Sequence, residues 1–437
     1  MEICAAATRV FANRDWLAFG ITAVVVFAVY CFTLSSDIDL ESSGIYATAA
    51  MHAGVGCPPG YPQWTLVTWL FVHAMPIGNI AWRIAISSAL AGALASGLTA
   101  LMGCRGAAAV LEVASASLTP REVRWVASVS GCVGGMALGF SSDFWTQAVS
   151  VDVQVFNISL FCIVLTMVTW WFFQPTQRAF LYGAFFFYGI TVVSGQSLIA
   201  AAFGFQFMVV VGDHRIGRDL LLVNGALLLI GLALKSFGWF PGLESALLGL
   251  YVVVTVTTLA VAAILVAVTR NAFSEWKPVA IACGLMTLAT LTYLVVPVLS
   301  MTNPPVNWSY PRSVDGFFHL LTRGQFERLN PTANPIRLLQ QLKMYGAVAC
   351  YDFGWYYLVF AGASFLSLMR LNNKTRAWMG ALFILYLTTT VQMIAVLNPS
   401  LDRQTIGLIK TYFTPGYVIL AVLTAIGMAT VSKNSCQ

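Results

Sequence analysis

Trp16-Leu-Ala-Phe-Gly-Ile-Thr-Ala-Val-Val-Val-Phe-Ala-Val-Tyr-Cys-Phe-Thr-Leu34 is a run without a charged residue, and Asp37-Ile-Asp-Leu-Glu-Ser-Ser-Gly-Ile-Tyr-Ala-Thr-Ala-Ala-Met-His-Ala-Gly-Val-Gly-Cys-Pro-Pro-Gly-Tyr-Pro62 follows it at once. As a helix rising about 1.5 Å per residue, the first stretch spans the roughly 30 Å hydrocarbon core of a bilayer. Its length, and the absence of a small-residue cleavage site, favour an uncleaved signal anchor over a removed leader. The second stretch sets Asp37, Asp39 and Glu41 and a rigid Pro58-Pro-Gly-Tyr-Pro62 turn at the end of that helix. A carboxylate at a water–lipid boundary costs solvation energy unless water or a partner satisfies it, so these acids are functional candidates.

The pattern of the first run recurs along the chain. Apolar segments fall at 16–35, 80–102, 125–141, 155–173, 179–195, 197–211, 220–236, 243–268, 279–300, 347–368, 377–396 and 411–431, which predicts about twelve spans. The pair 179–195 and 197–211 is short, and Ser194-Gly195-Gln196 between them reads as a tight hairpin or a broken helix lining a cavity. Trp64–Met75 reads as an interfacial or re-entrant helix. Composition agrees: 59% of the 437 residues are hydrophobic and 9% charged, with mean hydropathy +0.79. Soluble domains carry about 25% charged residues. The chain is expected to be all-α, a polytopic integral membrane protein forming a single transmembrane domain over 1–437, with no soluble domain.

The net charge of +6 does not point to nucleic acid, because its cations are scattered over short loops. With both termini in the cytoplasm, Arg9, Arg14, Arg105, Arg121, Arg124, Arg178, Arg215, Arg218, Arg270, Lys277, Arg370, Lys374, Arg376 and Lys433 all fall inside, as the positive-inside rule expects. The outer loop 36–63 then holds no Lys or Arg, whereas the outer loop 301–346 holds Arg312, Arg323, Arg328, Arg337 and Lys343. A basic outer loop goes against the charge rule, which points to a role such as anion binding.

Catalytic signatures are few. There is no Walker loop, HExxH motif or nucleophile elbow, and no metal or cofactor is called for. The nine cysteines show neither metal-ligand spacing nor a disulfide framework and read as small buried hydrophobes. Gly131-Cys-Val-Gly-Gly135 lies inside a span, where glycines allow close helix packing. His73 and His214 are isolated; His52 is either an acid–base group or a solvated loop residue. Asp39 and Glu41 are either a solvated helix end or the place of a general base. Asp152, flanked by apolar residues in the loop Ser141–Asn157, is structural or functional on equal terms. The 300–328 loop mixes Trp308, asparagines, Arg312 and Arg323: aromatic faces and amides suit sugars, and arginine suits phosphate oxygens.

The spacing from Gly44 through Thr48-Ala-Ala50 and Gly54-Val55 to Pro58-Pro-Gly-Tyr-Pro62 resembles the signature of the transmembrane O-mannosyltransferase family of bacteria and animals, whose pattern is Asp-Ser-Gly-Glu, then a stretch of fixed length leading to His-Pro-Pro-Gly-Tyr-Pro. Pro76-Ile-Gly-Asn-Ile-Ala-Trp-Arg83, Phe144-Trp145, Asp152-Val153, Asn303-Pro-Pro-Val-Asn-Trp308 and Arg323-Gly-Gln-Phe326 are similar to further stretches of that family. The departures are Ser42 for the family's Asp, Ile45 for its Glu and Cys57 for its His.

The resemblance implies a GT-C-like fold and inverting transfer of a mannose-like hexose from a polyprenyl-phosphate donor to a hydroxyl of a protein or glycan acceptor at the outer face of a bacterial inner membrane. The base would then be Glu41 or Asp39, with Asp152 assisting. Arg83, Arg312 and Arg323 are the expected phosphate partners, Trp308 and His52 are further substrate contacts, and Pro58, Pro59, Gly60 and Tyr61 shape the loop. A lipid or solute transporter, or an inactive scaffold of the same family, are the alternatives. Few intramembrane charges and no paired broken helices speak against the transporter; the three departures together speak for the scaffold.

Overall fold

The computed structural model describes residues 10–39, 42–114, 119–238, 245–326 and 329–434; Arg9, Glu41 and Arg328 lie outside them. In chain order the helices are α1 Asn13–Thr33, α2 Ser43–His52, α3 Pro62–Ala74, α4 Ile80–Ala114, α5 Pro120–Gly139, α6 Ser142–Ala148, α7 Gln154–Phe173, α8 Arg178–Ser194, α9 Ala202–Gly212, α10 His214–Ser236, α11 Ser245–Thr269, α12 Trp276–Thr290, α13 Val295–Met301, α14 Val314–Leu321, α15 Pro335–Ala349, α16 Trp355–Ala363, α17 Asn373–Leu387, α18 Met393–Leu397, α19 Arg403–Ile409 and α20 Thr414–Asn434. Short 3₁₀ or π turns join several of these end to end. Among the described residues the one β-type contact is an isolated parallel bridge between Val55 and Asn307. A helical chain of this kind is what a bilayer demands, since each backbone donor and acceptor must be satisfied within the segment.

Among the described residues eight helices are long and apolar enough to cross a membrane, or nine if α5 and α6, bent by 70°, count as one span. All twelve expected segments are helical over most of their described residues. Those that fall short by length are α8, the 3₁₀ turn Gln196–Ala201 with α9, and α15–α16, which a π turn at Cys350–Gly354 interrupts. The chain reverses at Gly195: Leu181 near the start of α8 and Val209 near the end of α9 share a buried cluster with Trp171 of α7. The Tyr188 hydroxyl closes that reversal on the Leu198 carbonyl at 3.0 Å.

Sequence logic sets many helix starts. Pro62, Pro120 and Pro335 stand in first turns, where a missing N–H costs nothing. Thr119 and Glu122 form a capping box, and Asp213, Asn334, Asn372 and Asp402 cap α10, α15, α17 and α19 through their side chains. The core lies where α1, α4, α5, α7 and α20 meet. The glycines of α5 allow that approach: a Cβ at Gly131 would stand 2.2 Å from Cys104 Sγ, and one at Gly135 2.5 Å from the Ser96 carbonyl oxygen.

Among the cations expected in loops, Arg105 and Arg218 are drawn well inside the helical bundle. α4 runs on to Ala114, so Arg105 lies within it and stacks on Phe173. Arg218 is fully buried in α10; it pairs with Asp219 and donates to Thr269 and Ser274. Asp219 accepts from the backbone N–H groups of Phe273 and Glu275. The pair thus fastens the turn between α11 and α12, and each charge has its partners.

Candidate functional site

The Pro-Pro-Gly-Tyr-Pro turn is folded against a segment about 250 residues away in sequence. Ala53, with φ 49°, ends α2. Val55 then donates its N–H to the Val306 carbonyl and accepts from the Trp308 N–H, both at 3.0 Å. Gly54 is required there, because a Cβ would stand 2.6 Å from the Val306 oxygen. Asn307 holds its own loop by exchanging hydrogen bonds with Ser300. The Pro58–Pro59 bond is cis; the Pro59 carbonyl accepts from the Tyr293 hydroxyl at 2.6 Å, and Gly60 has φ +94°. Gln63 donates to Thr292 and accepts from Ser194, and Gln196 donates to the Leu321 carbonyl. These bonds join the motif turn, the α8–α9 hairpin and the basic loop at one end of the bundle.

Inside this frame Tyr61 and Trp64 are buried with Ala47, Ala50, Val72, Ala81, Ile84, Val151 and Val153, and Tyr46 packs edge-on to both aromatic rings. Burial of Val151 and Val153 holds the half-exposed Asp152 between them, at the mouth of this cluster. Burial pushes the Tyr46 and Tyr61 hydroxyls up, and the Asp152 carboxylate pushes both further; Tyr412 raises Tyr61 as well, while Arg323 opposes the shift. Both phenols therefore stay protonated at neutral pH and can donate. Burial also pushes the Cys57 thiol up, partly offset by a hydrogen bond with Ser42, so Cys57 is a poor base or nucleophile. Arg323 has φ 55°, its guanidinium lies over the Phe326 ring at 4.7 Å, and its buried Nε has no partner. A buried N–H donor without an acceptor costs about 1–3 kcal/mol, which an anion would recover.

The other expected site residues lie apart from this group or are already engaged. Arg83 donates to the carbonyls of Val72, Ile77 and Gly78, so its guanidinium closes the α3–α4 turn. Arg312 is exposed, bonded to Asn303 and stacked on Tyr310. Asp39 is exposed and accepts from Ser35. His52 is exposed at the end of α2, and Trp308 contributes its backbone to the Val55 bridge. Glu41 lies outside the described residues, and α2 begins only at Ser43.

Sequence reasoning missed a second polar group. Asp143 of α6 is buried, pairs with Lys410 at 3.0 Å and accepts from Gln147 at 2.6 Å. Asp352, in the π turn between α15 and α16, and Tyr417 of α20 are buried beside it. Asp352 and Tyr417 stand inside stretches read as spans. The usable signal was an acid in an apolar segment.

Residues 42–215 match the model of the Protein O-mannosyl-transferase TMEM260 N-terminal domain. Over 73 residues the chain is 40% identical to Protein O-mannosyl-transferase TMEM260 of Mus musculus, a stretch covering 17% of this chain and 10% of that protein. Over 70 residues it is 31% identical to the Dictyostelium discoideum protein of that name, covering 16% of this chain and 8% of the relative. The matched stretches thus span a tenth or less of these relatives. The fold is similar to ArnT from Cupriavidus metallidurans bound to undecaprenyl phosphate, with TM-score 0.50 and 15% identity, covering 95% of this chain and 60% of that one. The two findings agree: residues 42–215 are similar to the N-terminal domain of an O-mannosyl-transferase, and the chain has a polytopic helical membrane fold similar to that of ArnT, the GT-C fold.

Proposed function

We propose that this protein transfers a hexose, mannose or one like it, from a polyprenyl-phosphate donor to a hydroxyl of a protein or glycan acceptor. The observation that carries the reading is Arg323, whose buried Nε has no partner and whose charge acts on Tyr61 of the Pro-Pro-Gly-Tyr-Pro turn, as that of Asp152 does. That ArnT binds undecaprenyl phosphate in the same fold supports the class of donor. Arg323 would hold the phosphate, with the Tyr61 phenol as a second donor. A carboxylate would take the acceptor proton as the acceptor oxygen attacks the anomeric carbon, and the bonding pair would leave with the phosphate. Of the acids expected from the sequence, Asp152 is favoured over Asp39 because it adjoins both tyrosines while Asp39 is exposed; Glu41 remains a candidate. The site end would face away from the cytoplasm with both termini inside, in a bacterial inner membrane.

The test is turnover of a mannosyl polyprenyl phosphate by purified protein with peptide or glycan acceptors, read as release of polyprenyl phosphate. Asp152→Asn keeps shape but removes the proton acceptor and should slow transfer about 10²–10⁴-fold. Parental turnover in Asp152→Asn would move the base to Glu41 or Asp39. The scaffold reading draws on one specific observation, that Ser42 and Cys57 replace an acid and a histidine and bond to each other. Absence of turnover with every donor, alongside retained polyprenyl-phosphate binding, would decide for it.

A further inference from the structure

Three side chains of the second polar group, and Thr414 one turn before Tyr417 in α20, have an atom with no hydrogen-bond partner: Gln147 Oε1, Asp352 Oδ2, Thr414 Oγ1 and the Tyr417 hydroxyl. Their residues are 5%, 6%, 0% and 0% exposed. Arg218 and Asp219 provide the comparison within the same molecule, since that equally buried pair is fully partnered. Each unpartnered buried group costs stability, and a cluster of them is not what a purely structural network leaves behind. We propose that Gln147, Asp352, Thr414 and Tyr417 form the subsite for the sugar hydroxyls of the donor; this rests on the donor reading above.

The chemistry selects the ligand. Gln147 and Asp352 offer acceptor oxygens, and Thr414 and Tyr417 offer hydroxyls that donate or accept. Thr414 and Tyr417 stand three residues apart in α20 and so share a helix face. Phe353 stacks on the Tyr417 ring at 5.6 Å and fixes its direction. The charges here are Asp143, Asp352 and Lys410, one negative in net. That disfavours a phosphate and suits a neutral polyol, whose hydroxyls donate to carboxylates. A metal is a poor fit, as Lys410 already neutralises Asp143, and no group of three His, Cys, Asp or Glu that could hold an ion occurs among the described residues. Lys410 and Tyr412 share the 3₁₀ turn Lys410–Phe413, and Tyr412 is a neighbour of Tyr61 that helps to keep its phenol protonated. One turn therefore links this cluster to the Arg323 side, where the phosphate would lie. The polar atoms are closed off from solvent, and the segments around them are π turns at Cys350–Gly354 and Thr388–Gln392 and this 3₁₀ turn. Irregular turns of this type recur at functional sites and can shift register without unfolding a helix.

The experiment measures affinity for undecaprenyl phosphate and for mannosyl undecaprenyl phosphate, in nanodiscs, for the parent, Tyr417→Phe, Thr414→Val and Asp352→Asn. The parent should bind the mannosylated lipid more tightly. The variants should bind the bare lipid phosphate as the parent does, while their preference for the mannosylated lipid falls about tenfold, the loss expected for hydrogen bonds to an acceptor or charged group. Tyr417→Phe and Thr414→Val keep side-chain volume and carry the test if Asp352→Asn does not fold. If the parent shows the preference and these two variants keep it, the subsite is overturned and the donor reading stands. If the parent shows no preference, the donor reading fails and the subsite with it.

Discussion

Arg323 and Arg312 carry the same charge in the same loop, yet their surroundings differ. Arg312 is exposed and already bonded to Asn303, with Tyr310 beneath it. Arg323 is braced by Phe326, near Tyr61, with a buried donor unused. Binding an anion at Arg312 would exchange water and an amide for phosphate, with little net gain. At Arg323 it would satisfy a donor that the fold has already desolvated. Arg323→Ala should therefore weaken undecaprenyl-phosphate binding by about 1.5–3 kcal/mol, roughly 10- to 150-fold. Arg312→Ala should change it less than about threefold. Titration of purified protein with the lipid phosphate, followed by tryptophan fluorescence, separates the two; equal losses would show that the loop acts through its summed charge alone.

α5 shows how far an element's role was legible. Gly131, Gly134 and Gly135 in a predicted span pointed to close packing, and each stands where a Cβ would meet a neighbouring helix. The Pro-Pro-Gly-Tyr-Pro turn was legible too, because its residues dictate its backbone locally. Its partners were not, since the Val55–Asn307 bridge and the Tyr293–Pro59 bond join segments far apart in sequence and leave no local pattern. Asp352 and Lys410 were passed over for a related reason. Hydropathy averages over a window, so one acid or one lysine in an apolar stretch scarcely registers, although its burial decides the chemistry. The packing argument has a direct consequence. Gly135→Ala forces its methyl to 2.5 Å from the Ser96 backbone oxygen, whereas Gly249→Ala in α11 meets nothing within 4 Å. The first should cost about 1–3 kcal/mol by overpacking, and the second should be neutral or stabilising, as alanine favours a helix. Thermal melting of detergent-solubilised protein reads both; equal midpoints would mean that α5 does not pack as tightly as described.

At the scale of the whole molecule, the charge distribution and the site have to agree about which side is which. The motif turn, the 301–326 loop and the Asp143–Lys410 pair are joined at one end of the bundle. The turn fastened by Arg218 and the Arg178–Glu275 pair lie at the other ends of the same spans. The positive-inside rule puts the second end in the cytoplasm, and a transferase of the proposed kind needs the first end outside. A membrane-impermeant maleimide tests this on sealed cells in a background whose other cysteines are replaced. Cys57 and Ser309→Cys report the motif end. Asn271→Cys reports the opposite end without disturbing Ser274, whose hydroxyl Arg218 engages. Only thiolate reacts, and burial has raised the Cys57 thiol above its ordinary range. Its labelling should accordingly be slower than that of Ser309→Cys at neutral pH and should accelerate as pH rises. Asn271→Cys should label only after the membrane is opened. Labelling of Asn271→Cys in sealed cells, with Ser309→Cys protected, would invert the molecule and set the proposed donor site on the cytoplasmic side.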